Sequence, residues 1–310
     1  MNDKTHFGII IIGSGPAGLT AAVYSARGGA AAALFGGAAP GGQLLQTTEI
    51  ENFPGFPEPV AGADLMLAMI KQASRLGASL INEDITEADF SRRPFTLTTA
   101  FGKKYAADSV IAATGARARW LGLPSEQAYI GKGVSGCATC DGFFYRGKEV
   151  CVIGGGDSAV EDALFLTKFA SKVYLAHRRD KLRANFRLQD KLKNSAKIEV
   201  LYEHALDTVL GGEKVSGARL RHVRTGAVRE LGTPGIFIAI GHDPATEVFK
   251  GKLNLDDSGY IVADDRCRTS VRGVFAAGDV MDRHYKQAVV AAGAGCKAAM
   301  EALAYLEEIK

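Results

Sequence analysis

The chain has 310 residues, 47% of them apolar, with 37 Lys and Arg against 34 Asp and Glu and a net charge of +3. That length accommodates two domains with separate cores, and that apolar share excludes a disordered chain. The small charge, with no long basic arm and no aromatic–basic interleave, argues against a general nucleic-acid binder.

The polar start at 1–6 leads into Phe7-Gly8-Ile9-Ile10-Ile11-Ile12. This run is too short for a signal segment, and no stretch reaches the ~18 apolar residues of a membrane helix. A cytoplasmic protein away from membranes is expected. The five cysteines, at 137, 140, 151, 267 and 296, are an odd number. That pattern argues against a secreted disulfide framework and for reduced thiols around one special pair. Cys151 and Cys296 lie in apolar contexts and are expected to be buried bystanders.

Residues 7–12 predict a strand buried on both faces, followed by Gly13-Ser14-Gly15-Pro16-Ala17-Gly18 and a helical pattern from Leu19 to Ala26. In a βαβ unit such glycines allow a tight turn and bring a pyrophosphate to the helix N-terminus, where free N–H groups favour an anion. An acid is expected about 20 residues further on, to hold a ribose. The segment Ala30 to Gly37 offers neither acid nor Arg. Ala is a poor strand former, so a firm strand is not expected there either. The pattern favours a dinucleotide held mainly through its pyrophosphate and flanking loops. The Gly- and Pro-rich loop at 40–62 adds Gln43, Thr47, Thr48, Glu49 and Asn52 as polar candidates.

A helix is predicted over 64–76, then a strand-rich stretch, then a buried strand ending in Ala113-Thr114-Gly115. Residues 117–124 read as a crossover. Cys137-Ala138-Thr139-Cys140-Asp141 follows. Two thiols at this spacing serve equally as a redox pair, half a zinc site or a staple; Asp141 stands where a proton donor would help thiol exchange. A second βαβ comes next, with strand 149–153, turn Gly154-Gly155-Gly156-Asp157-Ser158 and helix 160–169. After strand 172–176 the chain reads His177-Arg178-Arg179-Asp180-Lys181-Leu182-Arg183. Basic residues at that place fit the extra phosphate of NADP, where an acid would take the ribose hydroxyl of NAD; the bland alternative is a charged helix start. His242-Asp243-Pro244 reads as a return crossover, Gly273 to Ala277 as a last strand, and 287–306 as an Ala-rich helix. Two dinucleotide-binding units in one chain suit electron transfer between two bound dinucleotides and then to a dithiol.

These motifs, in this order, resemble the low-molecular-weight thioredoxin reductase family over essentially the whole chain. The resemblance implies an α/β fold of two Rossmann-like, three-layer ββα domains. The FAD-binding domain would comprise 1–117 and 246–310, discontinuous in sequence, around an NADPH-binding domain at 118–245. FAD would contact Gly13, Ser14, Gly15, Pro16, Ala17 and Gly18, with Gly42, Gln43, Asn52, Thr114, Gly115, Gly278, Asp279, Gln287 and Ala288. NADPH would contact Gly155, Gly156, Asp157 and Ser158, with His177, Arg178, Arg179 and Arg183 around its 2′-phosphate. Cys137 and Cys140 would form the redox disulfide, Cys140 taking electrons from the flavin and Cys137 attacking thioredoxin, with Asp141 moving protons. Phe143 and Phe144 would join the docking surface. Domain rotation about 115–122 and 241–247 and a homodimer are family expectations. The end at 307–310 carries no cysteine, which sets the chain apart from the larger animal-type enzymes. Related flavoproteins with another acceptor lack either the cysteine pair or the basic cluster. A zinc-binding role would need two further ligands, and histidines 6, 177, 204, 222, 242 and 284 show no suitable spacing with the pair.

Overall fold

A computed structural model describes residues 5–38, 40–47 and 49–310; the polar start at 1–4 and the candidate Thr48 lie outside the described residues. The chain divides into two compact units, Met1–Arg117 with Asp243–Lys310, and Ala118–His242.

The first unit begins with β1 (His6–Ile12), α1 (Pro16–Arg27), β2 (Ala32–Phe35), α2 (Gly62–Arg75) and β3 (Ser79–Ile81). It continues with β4 (Ile85–Asp89), β5 (Phe95–Thr99) and β6 (Lys104–Ala112), before β7 (Ala116–Ala118) leads out. The second unit holds α3 (Pro124–Ala128), β8 (Val134–Ser135), α4 (Ala138–Asp141), β9 (Glu149–Gly154), α5 (Asp157–Leu166), β10 (Lys172–His177), α6 (Phe186–Lys193) and β11 (Ile198–Tyr202). There follow β12 (His204–Gly211), β13 (Val215–His222), β14 (Val228–Leu231) and β15 (Gly235–Ala239). The chain returns through β16 (His242–Pro244) and ends with β17 (Val274–Ala276) and α7 (Ala288–Glu308).

The sheet of the first unit runs β3-β2-β1-β6-β5-β4, with β17 beside β6. The strands β1, β2, β3, β6 and β17 pair in parallel, whereas β4 and β5 add antiparallel edges. The isoleucine run of β1 explains its central place. Ile9 and Ile11 enter one core with α1 and α7, while Ile10 and Ile12 enter the other with Phe35, Phe95 and Phe249. Alternation sends successive side chains to opposite faces, so only a strand apolar on both can sit here.

The weak-strand expectation for 30–37 does not hold: Ala32, Ala33, Leu34 and Phe35 form a fully buried strand between β1 and β3. Pairing on both edges overrides the low intrinsic preference of Ala. The helix α7 is long and apolar enough by length and composition alone to cross a membrane, although Lys297 and Glu301 interrupt its apolar run. Its small-residue face, Ala291, Gly295, Ala298, Ala299 and Ala302, is buried in the core of the first unit. A Cβ on Gly295 would overlap the Ala17 carbonyl of α1, so these two helices meet almost backbone to backbone. Cys296, on the same helix, is only half-buried beside Met300, not a core residue.

The second unit has three layers. Its parallel sheet runs β11-β10-β9-β15-β8. One face packs Val150, Val152, Leu175 and Phe237 against α5; the other packs Cys151, Ile153, Tyr174 and Ile236 against the antiparallel layer β12-β13-β14. This is a Rossmann-like ββα arrangement, in which ligand sites lie at the C-terminal ends of the parallel strands.

Candidate active site

Cys137 and Cys140 are joined by a disulfide, with Sγ atoms 2.08 Å apart. The pair sits on the single turn of α4, immediately after β8. Cys137 is the N-cap of that turn: its Sγ accepts the Cys140 N–H at 3.2 Å, and the Thr139 hydroxyl lies 3.3 Å from the same sulfur. The N–H donor at this sulfur would favour its thiolate once the bond is opened. Cys151, buried in β9, is its opposite: burial pushes its thiol up to about 12, which leaves it protonated and inert.

Ser135, at the end of β8, links the thiol pair to its acid. Its Oγ accepts the Cys137 N–H at 3.0 Å. The Asp141 carboxyl is held above the ordinary carboxylate range by burial, and the nearby Ser135 hydroxyl pulls the other way. Tyr145 faces that carboxyl; burial first, and the Asp141 charge second, push its phenol up to about 12. Beside this turn, Phe143 is 51% and Phe144 37% exposed, and the Arg146 guanidinium stacks 5.1 Å from the Phe143 ring. The predicted pair and acid thus share one turn. Ser135 and Tyr145 carry no local sequence signal: nothing in Val-Ser-Gly-Cys marks a serine that influences a carboxyl six residues ahead.

In the first unit, the glycine turn after β1 has one open position and two closed ones. A Cβ on Gly13 or Gly18 would overlap the Ala113 or Gly13 carbonyl respectively, whereas a Cβ on Gly15 meets nothing within 4 Å. Gly15 is the N-cap of α1, with no side-chain cap and no acid in the first turn. Free N–H groups facing open space fit a pyrophosphate. The sequence-predicted neighbours gather here. A Cβ on Gly42 would stand 3.1 Å from the Gly15 Cα, and Gly278 takes its φ of +76° beside Ala17. The turn itself is tied to β2 through Ser14, whose buried Oγ donates to the Gly36 carbonyl at 3.0 Å and accepts the Gly41 N–H at 2.9 Å. The Gln43 amide donates to the Ala116 carbonyl, the Thr114 hydroxyl to the Ala245 carbonyl at 2.6 Å, and Asn52 Nδ2 to Gln287 Oε1 at 3.3 Å. Gln287 is the N-cap of α7, which Ala288 begins. Asp279 is half-buried and its carboxyl makes no hydrogen bond or ion pair among the described residues. Burial, with Asp282 adding and Lys286 opposing, pushes it up to about 6. A desolvated carboxyl without a partner fits a ligand that brings hydroxyl donors.

The second glycine turn repeats the design. Gly156 caps α5 without a side-chain bond and a Cβ there meets nothing, while one on Gly154 would overlap the Ala239 carbonyl. The basic loop is fastened to this turn: the Arg183 N–H donates to the Gly155 carbonyl at 2.7 Å, and Asp157 Oδ1 accepts the Asn185 N–H at 2.7 Å. Arg178, Arg179 and Arg183 are exposed and form no ion pair among the described residues. His177 lies elsewhere. It is 5% exposed beneath Gly155, with Nε2 buried and unpartnered, and burial lowers its basicity, as do Arg183 and Arg179. Its ring braces the turn, whereas the three arginines present charge to solvent.

A family profile described as pyridine nucleotide-disulphide oxidoreductase matches residues 7–295. The fold and the disulfide therefore define an oxidoreductase of that class. A thioredoxin reductase of Rickettsia conorii is 49% identical over 304 residues, 97% of this chain and 98% of its own. One from Streptomyces clavuligerus is 50% identical over 300 residues, 96% of this chain and 93% of its own. The solved thioredoxin reductase of Giardia duodenalis superposes with a TM-score of 0.95 at 44% identity, over 98% of this chain and 100% of that one. The chain belongs to the thioredoxin reductase family.

Proposed function

We propose that the protein reduces the disulfide of thioredoxin with electrons from NADPH, using FAD in the first unit and the Cys137–Cys140 pair in the second. The observation that carries this is the disulfide itself, held on one turn with a buried, protonatable Asp141 beside it. FAD would be held by Gly13 to Gly18 with Gly42, Gln43, Asn52, Thr114, Gly115, Gly278, Asp279, Gln287 and Ala288. NADPH would be held by Gly155, Gly156, Asp157 and Ser158, with Arg178, Arg179 and Arg183 on its 2′-phosphate and His177 as the brace beneath. Bound FAD supplies the two-electron relay between the nicotinamide and the enzyme disulfide.

The reduced pair does the rest. The Cys137 thiolate attacks one sulfur of the thioredoxin disulfide; a Cys137–thioredoxin bond forms and the thioredoxin S–S bond breaks. Asp141 gives its proton to the departing thiolate and then accepts the proton of Cys140. The Cys140 thiolate attacks Cys137 Sγ, which restores the enzyme disulfide and breaks the Cys137–thioredoxin bond; Asp141 passes the proton it took from Cys140 to the departing thiolate, so thioredoxin leaves with two thiols. Rotation of the units about the crossovers would alternate these tasks. Gly115, Gly122 and Gly241 there have φ of +74°, +80° and +109°, and the first two have open space around them. We place the enzyme in the cytoplasm as a homodimer, in keeping with the three free thiols and the family.

The test is the visible spectrum of the purified protein, titrated with NADPH and then with oxidised thioredoxin under anaerobic conditions. A yellow protein that NADPH bleaches and thioredoxin restores is expected. A colourless protein, or one that thioredoxin leaves bleached, would refute the proposal.

A further inference from the structure

The adenosine end of the FAD site lacks its usual acid. Rossmann-type units place a carboxylate at the end of the second strand to take the ribose hydroxyls, yet β2 ends in Phe35-Gly36-Gly37. The fold supplies a carboxylate to that place from the connection between β3 and β4. Beyond β2 the backbone stays fastened to the β3–β4 connection: the Gly36 N–H donates to the Ile81 carbonyl at 2.9 Å, and the Gly37 N–H to the Glu83 carbonyl at 3.3 Å. Asp84 then lays its carboxylate against Gly37, with Oδ1 2.5 Å from where a Cβ on residue 37 would stand. The carboxylate therefore fills the space that a side chain at the end of β2 would occupy. Gly37 itself has a φ of +73°, which disfavours any residue with a side chain of its own.

Two further observations point to a hydroxyl-bearing ligand. The Asp84 carboxylate has no hydrogen bond or ion pair among the described residues. The adjacent Glu83 has Oε2 buried and unpartnered, a state that is costly until a donor reaches it. A pair of acids with no Arg or Lys bonded to them suits neutral hydroxyls and repels a phosphate.

We propose that Asp84, acting across the strand gap with Glu83 beside it, accepts the adenosine ribose hydroxyls of the FAD in the proposed function. The lost β2 acid is thus replaced from β3–β4. FAD and an FAD analogue carrying 2′,3′-dideoxyadenosine would be titrated into flavin-free protein, wild type and Asp84→Asn, with binding read by flavin fluorescence. Wild type is expected to prefer FAD by about tenfold or more, the usual effect of a hydrogen bond to a charged group. Asp84→Asn should bind FAD about tenfold less well and no longer distinguish the two ligands. The thermal midpoint of the flavin-free variant should match wild type, since the carboxylate is exposed and bonded to nothing in the protein. A variant that still discriminates, or that loses affinity equally for both ligands, would overturn the assignment. Wild-type protein that takes up neither flavin would instead refute the proposed function on which the assignment rests.

Discussion

Asp141 and Asp279 are both half-buried carboxyls whose protons are held by desolvation, but they serve different ends. In the proposed exchange the protonated form of Asp141 is the donor, so the rate limb that needs it should fall as pH rises through its raised titration point. Asp141→Asn should cut thioredoxin reduction by about a hundredfold or more and flatten that limb. Ser135→Ala removes a hydroxyl that favours the ionised form, so the same limb should move to higher pH; pH profiles of single-turnover exchange check both. At Asp279 the shift is a stability statement. Burial pushes its carboxyl up to about 6 in the folded protein, well above the ordinary range for an aspartate. Stability is thus unaffected below the unfolded value and declines as pH rises through the folded one. In flavin-free protein, Asp279→Asn should raise stability by at most about 2–3 kcal/mol at pH 7–8 and by nothing near pH 3, in denaturant titrations at the two pH values. The same substitution should weaken FAD retention, since an amide is a poorer acceptor for hydroxyl donors. The cysteine pair and Asp141 were legible in the sequence because they are neighbours there. Ser135, Tyr145 and Asp84 were not, because each acts only through the fold.

At the scale of elements, the two glycine turns separate folding from binding within a single motif. Gly18→Ala would force a methyl into the Gly13 carbonyl, and Gly155→Ala one into the His177 ring. Each should cost about 1–3 kcal/mol or more, visible as a lower thermal midpoint. Gly15→Ala and Gly156→Ala meet no protein atom and have ordinary φ values of −71° and −90°. They should leave the midpoint almost unchanged while sharply weakening FAD and NADPH respectively, by flavin retention and by KM. Replacing Arg178 and Arg179 by Ala should raise KM for NADPH about tenfold or more and leave NADH unchanged. The glycine spacing, framed by apolar strand and helix, made both turns legible. Which glycine is jammed and which is open depends on the turn's own closure at Gly18 and on β10 at Gly155, and no local pattern reveals either. The strand β2 was underestimated for the same reason: Ala-rich sequence becomes strand when both edges are already paired.

For the whole molecule, the central arrangement is a chain that leaves one nucleotide fold, builds another, and returns, with the disulfide early in the inserted unit. The order of motifs made the class legible. The closeness of α1 and α7 depends on Gly295, and the burial of His177 on packing beneath Gly155; both arise only when distant segments meet. The three remaining thiols should stay outside the chemistry, Cys151 above all. In the proposed cycle, electrons leave through Cys137 after Cys140 has been reduced. The most direct test is Cys140→Ser with NADPH and oxidised thioredoxin, followed by non-reducing electrophoresis and turnover. Turnover should cease and a mixed disulfide between Cys137 and thioredoxin should accumulate, with no such adduct in Cys137→Ser. Sustained thioredoxin reduction by Cys140→Ser would contradict the account.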